Sequence, residues 1–420
     1  MISKRFFQGL LPGIFWIVLV FPADAAVFFQ CPTLSNPSDP ASIVYNGSFA
    51  DGNGDGMIRA DDGEITNPVS PTQVCAHLAA GDGFVSMADR GMDGTGDGHL
   101  QYSFGFSNVT GVPDGEVMNA GMLAAQFSAP TLTFKEGDDV YLTLSNVGMV
   151  VRPDLFDPHS VHWHGFPNAA AIFDGEPMST ISINMGASLT YYYKVVEPGT
   201  FMYHCHVEAT EHMQMGMLGN LYVTPAQDGN SIGGFTTFAY NDGDGSTGYD
   251  VAYPIQIAGF DSNFHDLHLA VQPLPFAEMY DNYPMLNGRG YPDTVNPAVL
   301  STTNPNGESF PSQPVNTIIT ANTGERILLR LSNLSTESFF TLTVQGIPMQ
   351  VVGEGSRLRR HYYTTNTVTL GGGQAMDVIL DTTGVPAGTY FLYTTNHDRL
   401  ANNTEDYGGA MTEIVISGAL

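Results

Sequence analysis

The segment HCHVEATEHMQMGM, residues 204 to 217, sets three histidines, one cysteine and three methionines into fourteen positions. Before it stands SINMGASLTYYYKV and after it LGNLYVTP, short β-rich runs broken by glycine and proline. In an extended strand successive side chains face opposite ways. His204 and His206 therefore share one face, and Cys205 points to the other. Buried imidazoles need a hydrogen-bond partner or a metal, so one strand end of this kind can begin two metal sites. A second tract, HSVHWHG (residues 159–165), repeats the pattern: His162 and His164 share a face, while His159 has the opposite parity and can join Cys205.

The flanking texture extends along the chain. Short runs such as TLTFKEGDDVYLTLSNVG, separated by turn residues, predict an all-β chain of sandwiches or barrels. The block then recurs. VYLTLSNVG (140–148) returns as ILLRLSNLS (327–335), SINMGASLTYYYKV as TLGGGQAMDVILDT, and EPGTFMY as PAGTYFLY. The offset is 187 residues at Leu144/Leu331 and 189 at Gly199/Gly388, so the landmarks stay nearly in register, as an internal duplication requires. The division expected is a leader at 1–26, a loop-rich Gly/Asp region at 27–115, a first sandwich at 116–226, a linker at 227–254 and a second sandwich at 255–420.

Composition narrows the function. Forty-two acidic residues against fourteen Lys plus Arg give a formal charge of −28, which repels phosphate backbones and anionic lipid surfaces; nucleic acid and membrane are not expected partners. Lys4 and Arg5, an apolar run and small residues at Ala23 to Ala26 read as a secretory signal, so a secreted, periplasmic or extracellular location is expected. In an oxidising compartment Cys31 and Cys75 are expected to pair, although spacing alone does not fix the pairing. Cys205 is then left as the free thiol.

A thiolate, two imidazoles and a distant thioether suit copper that cycles between two oxidation states. Cys205, His159, His212 and Met217 supply that set, with Gly216 allowing Met217 to fold back. Met213 and Met215 are nearer but are expected to pack in the loop's apolar core. Neither tract has a zinc-finger layout.

HSVHWHG and HCH…H…GM resemble the signatures of the multicopper oxidases, and the duplicated plan resembles that family's two-domain members. The resemblance covers roughly residues 116–420 and implies two cupredoxin-like Greek-key β-sandwiches. It implies a type 1 (blue) copper on His159, Cys205, His212 and Met217, fed by a small-molecule, metal-ion or redox-protein electron donor. It further implies that His162, His164, His204 and His206 are catalytic residues forming half of a type 2/3 cluster that reduces dioxygen, and that the chain assembles as a homotrimer. The family's other four histidines come from the second domain, usually a neighbour's. Here that domain reads FFTLTVQG (339–346); aligned on the glycine, Phe340, Thr343 and Gln345 stand for His159, His162 and His164, and YTTN (393–396) replaces YHCH. Two rivals follow: an electron-transfer or copper-binding protein without oxygen chemistry, and a relative of the copper nitrite reductases, which also place a histidine five residues after the first type 1 histidine. The type 1 loop carries five residues, VEATE, where the family commonly has three.

One motif lies outside this frame. DGNGDGMIRADD (51–62) has the spacing of a calcium loop, with Asp51, Asn53 and Asp55 at alternate positions, Gly56 at the turn and Asp62 in the twelfth place. Calcium is the second cofactor expected.

Overall fold

A computed structural model describes residues 28–45, 49–89, 100–303 and 307–418; the leader at 1–26 lies outside the described residues. The chain forms two β-sandwiches built on one plan. In the first, the strand Gln73–Ser86 runs parallel to Asp139–Gly148, which pairs antiparallel with Ser188–Lys194. The facing sheet pairs Ala129–Lys135 parallel with Leu218–Thr224, then Gly199–His204 and His162–His164 antiparallel. The second sandwich repeats both halves. Val251–Ala258 runs parallel to Arg326–Asn333, which pairs antiparallel with Gln374–Asp381. Ile319–Asn322 runs parallel to Met411–Ser417, followed by Gly388–Thr394 and Phe340–Val344. Mixed parallel and antiparallel ladders of this kind, repeated in order, are the cupredoxin-like all-β architecture expected from the sequence.

The boundary at residue 115 requires correction. The strands Gln73–Ser86 and Leu100–Asn108 pair with each other and belong to the first sandwich's own sheet. They read as loop because they lack alternation: Ala76, Ala79, Ala80, Gly81 and Asp82 are all buried, as expected of a strand covered on both faces. Small residues are required there, since a Cβ on Gly81 would stand 2.8 Å from the Val147 side chain. The N-terminal segment is tied to this sheet by a Cys31–Cys75 disulfide, 44 residues apart with Cα atoms at 5.6 Å.

The first core packs Phe104, Phe134, Trp163, Tyr191, Tyr193 and Phe201 with aliphatic residues from both sheets; Trp163 and Tyr193 stack at 3.7 Å. The second is mainly aliphatic, around Ile327, Leu331, Leu342, Met349, Val378 and Ile414. A buried polar staple joins the domains at the strand that carries the histidines. Thr200 and Tyr240 each donate to the Asp377 carboxylate at 2.5 Å, and the Arg330 guanidinium lies 3.7 Å from it. A third polypeptide segment, the helix Ser262–Leu269, leaves the start of the second domain and packs on the first against Leu100–Asn108.

Candidate metal centres

The strand Gly199–His204 pairs on one side with His162–His164, bringing His204 opposite His162 and Met202 opposite His164. Beyond its end the chain turns at Glu208, in left-handed conformation (φ 46°), into the short helix Ala209–Met215. The long VEATE loop is thus absorbed as helical turn, and His212 returns to the strand end. The helix stops at Gly216 (φ 120°), where a Cβ would stand 2.6 Å from the Phe104 carbonyl oxygen and from the Phe127 ring. Only glycine fits. The Met217 N–H then donates to the His212 carbonyl at 2.8 Å, and the Cys205 N–H to the Met217 carbonyl at 3.1 Å.

One ligand atom each from His159, Cys205 and His212 lies within 4.8 Å of the others, all three residues fully buried. Cys205 Sγ stands 3.2 Å from His212 Nδ1 and 3.9 Å from His159 Nδ1. His159 is fixed by backbone bonds in both directions with Ile183, and the Ser160 N–H points at Cys205 Sγ from 3.5 Å. Met217 is buried in the same core. Burial pulls the His212 ring down to about 4 and holds His159 well below the ordinary imidazole range, with His212 adding to the effect there. Both rings are neutral and offer lone pairs. Burial pushes the Cys205 thiol up to about 12, so a metal must displace its proton on binding. A soft thiolate between two neutral imidazoles, with a buried thioether on the returning loop, fits copper.

On the opposite face of the strand, one ligand atom each from His162, His164 and His204 lies within 4.8 Å of the others. The His206 ring stands 5.0 Å from that of His162. The four imidazoles line a cavity of about 380 Å3, with Thr210 and Met213 on the first-domain side. The other wall comes from the same chain's second domain: Leu334, Ser335, Thr336, Gly372 and Gly373. The full four-histidine complement from that domain does not fit this structure, since among the described residues no imidazole of that domain lines the cavity. Motif reading located the four histidines but not this wall, nor Asp174, whose carbonyl accepts from His162 Nδ1 at 2.6 Å; backbone groups carry no sequence signature.

Strand register corrects one equivalence. Thr343 stands opposite Tyr393, and Val344 opposite Leu392, as His162 stands opposite His204 and Trp163 opposite Tyr203. Tyr393, Thr394 and Thr395 therefore replace His204, Cys205 and His206, one residue earlier than alignment of YTTN with YHCH gives, because the second strand has one more residue between its glycine and its tyrosine than the first. His265 and His268 are buried in the first domain's cover: His265 lies between the Tyr102 and Gln214 carbonyls, and His268 Nε2 stands 2.8 Å from the Glu211 carboxylate. His397 is exposed.

In the acidic loop, Asp51 accepts from the Gly54 and Gly56 N–H groups, and Asp55 from that of Met57. Asn53 Nδ2 meets Asp62 at 3.2 Å. Asp51, Asp55 and Asp62 do not bring three carboxylate oxygens within 4.8 Å. No described helix is long and apolar enough to cross a membrane.

Two multicopper oxidase family models match the chain, over residues 107–228 and 273–413. Among curated relatives, Multicopper oxidase MCE of Talaromyces pinophilus is 33% identical over 120 residues, 28% of this chain and 18% of that protein. Laccase 1 of Metarhizium acridum is 32% identical over 122 residues, again 28% and 18%. The chain's match thus spans less than a fifth of the length of these relatives. The blue copper oxidase of Nitrosomonas europaea superimposes with a TM-score of 0.59 at 22% identity, covering 81% of this chain and 85% of that one. The copper nitrite reductase of Nitrosomonas europaea gives 0.55 at 17%, covering 82% and 94%. These structural likenesses speak to the fold. Together the two matched regions span more than half of the sequence, and the chain belongs to the multicopper oxidase family, whose metal is copper.

Proposed function

We propose that the protein is an exported oxidoreductase that takes electrons from an external donor at the Cys205 site and delivers them to the four-histidine cavity, where dioxygen is reduced. The observation that carries this reading is the sharing of one strand end by both sites. Bound copper supplies one-electron steps. The chain supplies the route: Cys205 is covalently joined to His204 and His206, and His204 Nδ1 donates to the Cys205 carbonyl oxygen at 2.8 Å, so a bonded path links the thiolate to the cavity. His212 sits in the helix Ala209–Met215, next in sequence to Glu211. Its Nε2 stands 4.0 Å from the Asp157 carboxylate, a geometry that favours a cationic or proton-releasing donor such as a metal ion or a phenol. Neutral His204, pulled down to about 3 by burial, keeps a lone pair for metal at any working pH.

A homotrimer and calcium in the Asp51–Asp62 loop belong to the same proposal. They are supported by the two-domain plan and by the loop's spacing.

The test is dioxygen uptake by copper-loaded protein with a phenol or ferrous ion, alongside copper content. Uptake that vanishes in Cys205→Ser is expected. A blue protein that consumes no dioxygen would instead be an electron-transfer protein, a reading favoured by the absence of second-domain imidazoles from the cavity wall.

A further inference from the structure

The four cavity imidazoles are not equivalent. His204 and His162 each donate from Nδ1 to a backbone carbonyl, that of Cys205 at 2.8 Å and that of Asp174 at 2.6 Å. Each ring thus carries its proton on Nδ1 and keeps its lone pair on Nε2. His164 is turned the other way. Its Nε2 is pressed against Gly373 of the second domain, where a Cβ would stand only 2.8 Å from that nitrogen. Its Nδ1 faces the first domain's own imidazoles.

His164 Nδ1 stands 3.3 Å from the His204 Nε2 lone pair. Two nitrogens at that spacing share either the His164 ring proton or a metal cation. A metal fits: with metal–nitrogen bonds of about 2.0 Å, two imidazoles in a tetrahedral shell stand about 3.3 Å apart. His162 offers the third nitrogen within reach of both. His206 lines the same cavity, its ring 5.0 Å from that of His162, but its nitrogens do not join the three that lie within 4.8 Å of one another. The second domain, where the resembled oxidases have imidazoles, contributes a glycine that packs closely against His164. Neighbouring groups that position a ligand are part of a metal site's construction.

We propose that His162 Nε2, His164 Nδ1 and His204 Nε2 hold a single copper ion in a site complete within one chain, its fourth position open to the cavity, in place of a three-copper cluster shared between domains. This rests on the reading of the cavity as a copper site and departs from it in the number of ions and in needing no partner subunit.

The full chain is loaded with Cu(II), freed of excess metal, and analysed by metal mass spectrometry and electron paramagnetic resonance. The expected result is about two coppers per chain, both spin-visible, one with the narrow hyperfine splitting of the Cys205 site and one with wide splitting, unchanged on dilution to the monomer. Three or four coppers, a spin-silent share, a single copper, or loss of the wide signal on dilution each overturns the proposal. His162→Gln is expected to lower the count from two to one, with the blue absorption reporting an intact fold; should that variant not fold, His164→Gln serves the same purpose. His206→Gln is expected to leave the count at two, and loss of an ion there would place the metal elsewhere. Gly373→Ala should change the wide-splitting signal and spare the blue band; no change would remove the second domain from the site. Four coppers with dioxygen uptake would sink this proposal and keep the oxidase reading. Two coppers without uptake would do the reverse.

Discussion

The strands Gly199–His204 and Gly388–Thr394 pair with their neighbours in the same register, yet only the first ends in metal ligands. Where Trp163 faces Tyr203 in the first core, Val344 faces Leu392 in the second, all four buried. On the other side of the same strands, His162 and His204 become Thr343 and Tyr393. The scaffold is held by its inward residues, and the outward ones are free to carry chemistry or to give it up. Cys205 makes the same point: its counterpart Thr394 is as deeply buried but donates no thiolate. What the second domain retains is a positional role, through the Asp377 staple and Gly373.

The sharpest way to break this comparison is to make the first strand end resemble the second. Cys205→Ser should abolish the blue absorption and essentially all donor oxidation while leaving the circular dichroism of the sandwiches unchanged; retained colour would remove Cys205 from the copper. The next largest effect is on the staple. Asp377→Ala leaves the Arg330 charge buried and deprives Thr200 and Tyr240 of their acceptor, and should cost about 3–5 kcal/mol in denaturant unfolding.

Acid should then separate folded from unfolded chain. Burial pulls His77, stacked on Phe29 at 5.3 Å, down to about 4, and His265 likewise. The unfolded chain takes up these protons from about pH 6.5 downward, so between pH 6.5 and 4 it binds more protons than the folded one and stability falls as pH falls. Each ring contributes up to about 3 kcal/mol. The Asp281 carboxyl, held high first by burial and then by the nearby Glu337 carboxylate, with Arg399 opposing, works in the other direction, because its folded form keeps a proton that the unfolded form loses. Urea titrations of copper-free protein should show the net loss, and His77→Asn should flatten it.

Gly216→Ala is expected to cost about 1–3 kcal/mol and to shift the blue band, since the added Cβ meets the Phe104 carbonyl and displaces Met217; an unchanged band would mean that the returning loop does not set the site. The smallest effect is expected where the two domains differ most in sequence: Thr343→Ala with Gln345→Ala should leave copper content and spectrum unaltered. A lost ion there would show that the second domain supplies ligands after all.

Much of this was legible from residue parity. Alternation along HCH and HWH divides the ligands between two faces, and the loop order Cys, His, Met closes one site. The duplication was legible because core residues recur at nearly constant offset. The strand Gln73–Ser86 was not, because a strand covered on both faces by close neighbours shows alanine and glycine instead of alternation. The one-residue shift at Tyr393 escaped because a tyrosine shared by both strands draws the alignment, whereas hydrogen-bond register does not. The orienting carbonyl of Asp174 is a main-chain group that any residue possesses.

The alternation at His204, Cys205 and His206 also bears on how such a chain can diverge. Lengthening the turn between His206 and His212 only adds helix, as VEATE shows, and leaves both pockets standing. Inserting one residue between Gly199 and His204 would rotate the sulfur toward the four-histidine cavity and an imidazole toward His159 and His212. Tolerance to insertion should therefore switch from none to generous within the span of three residues.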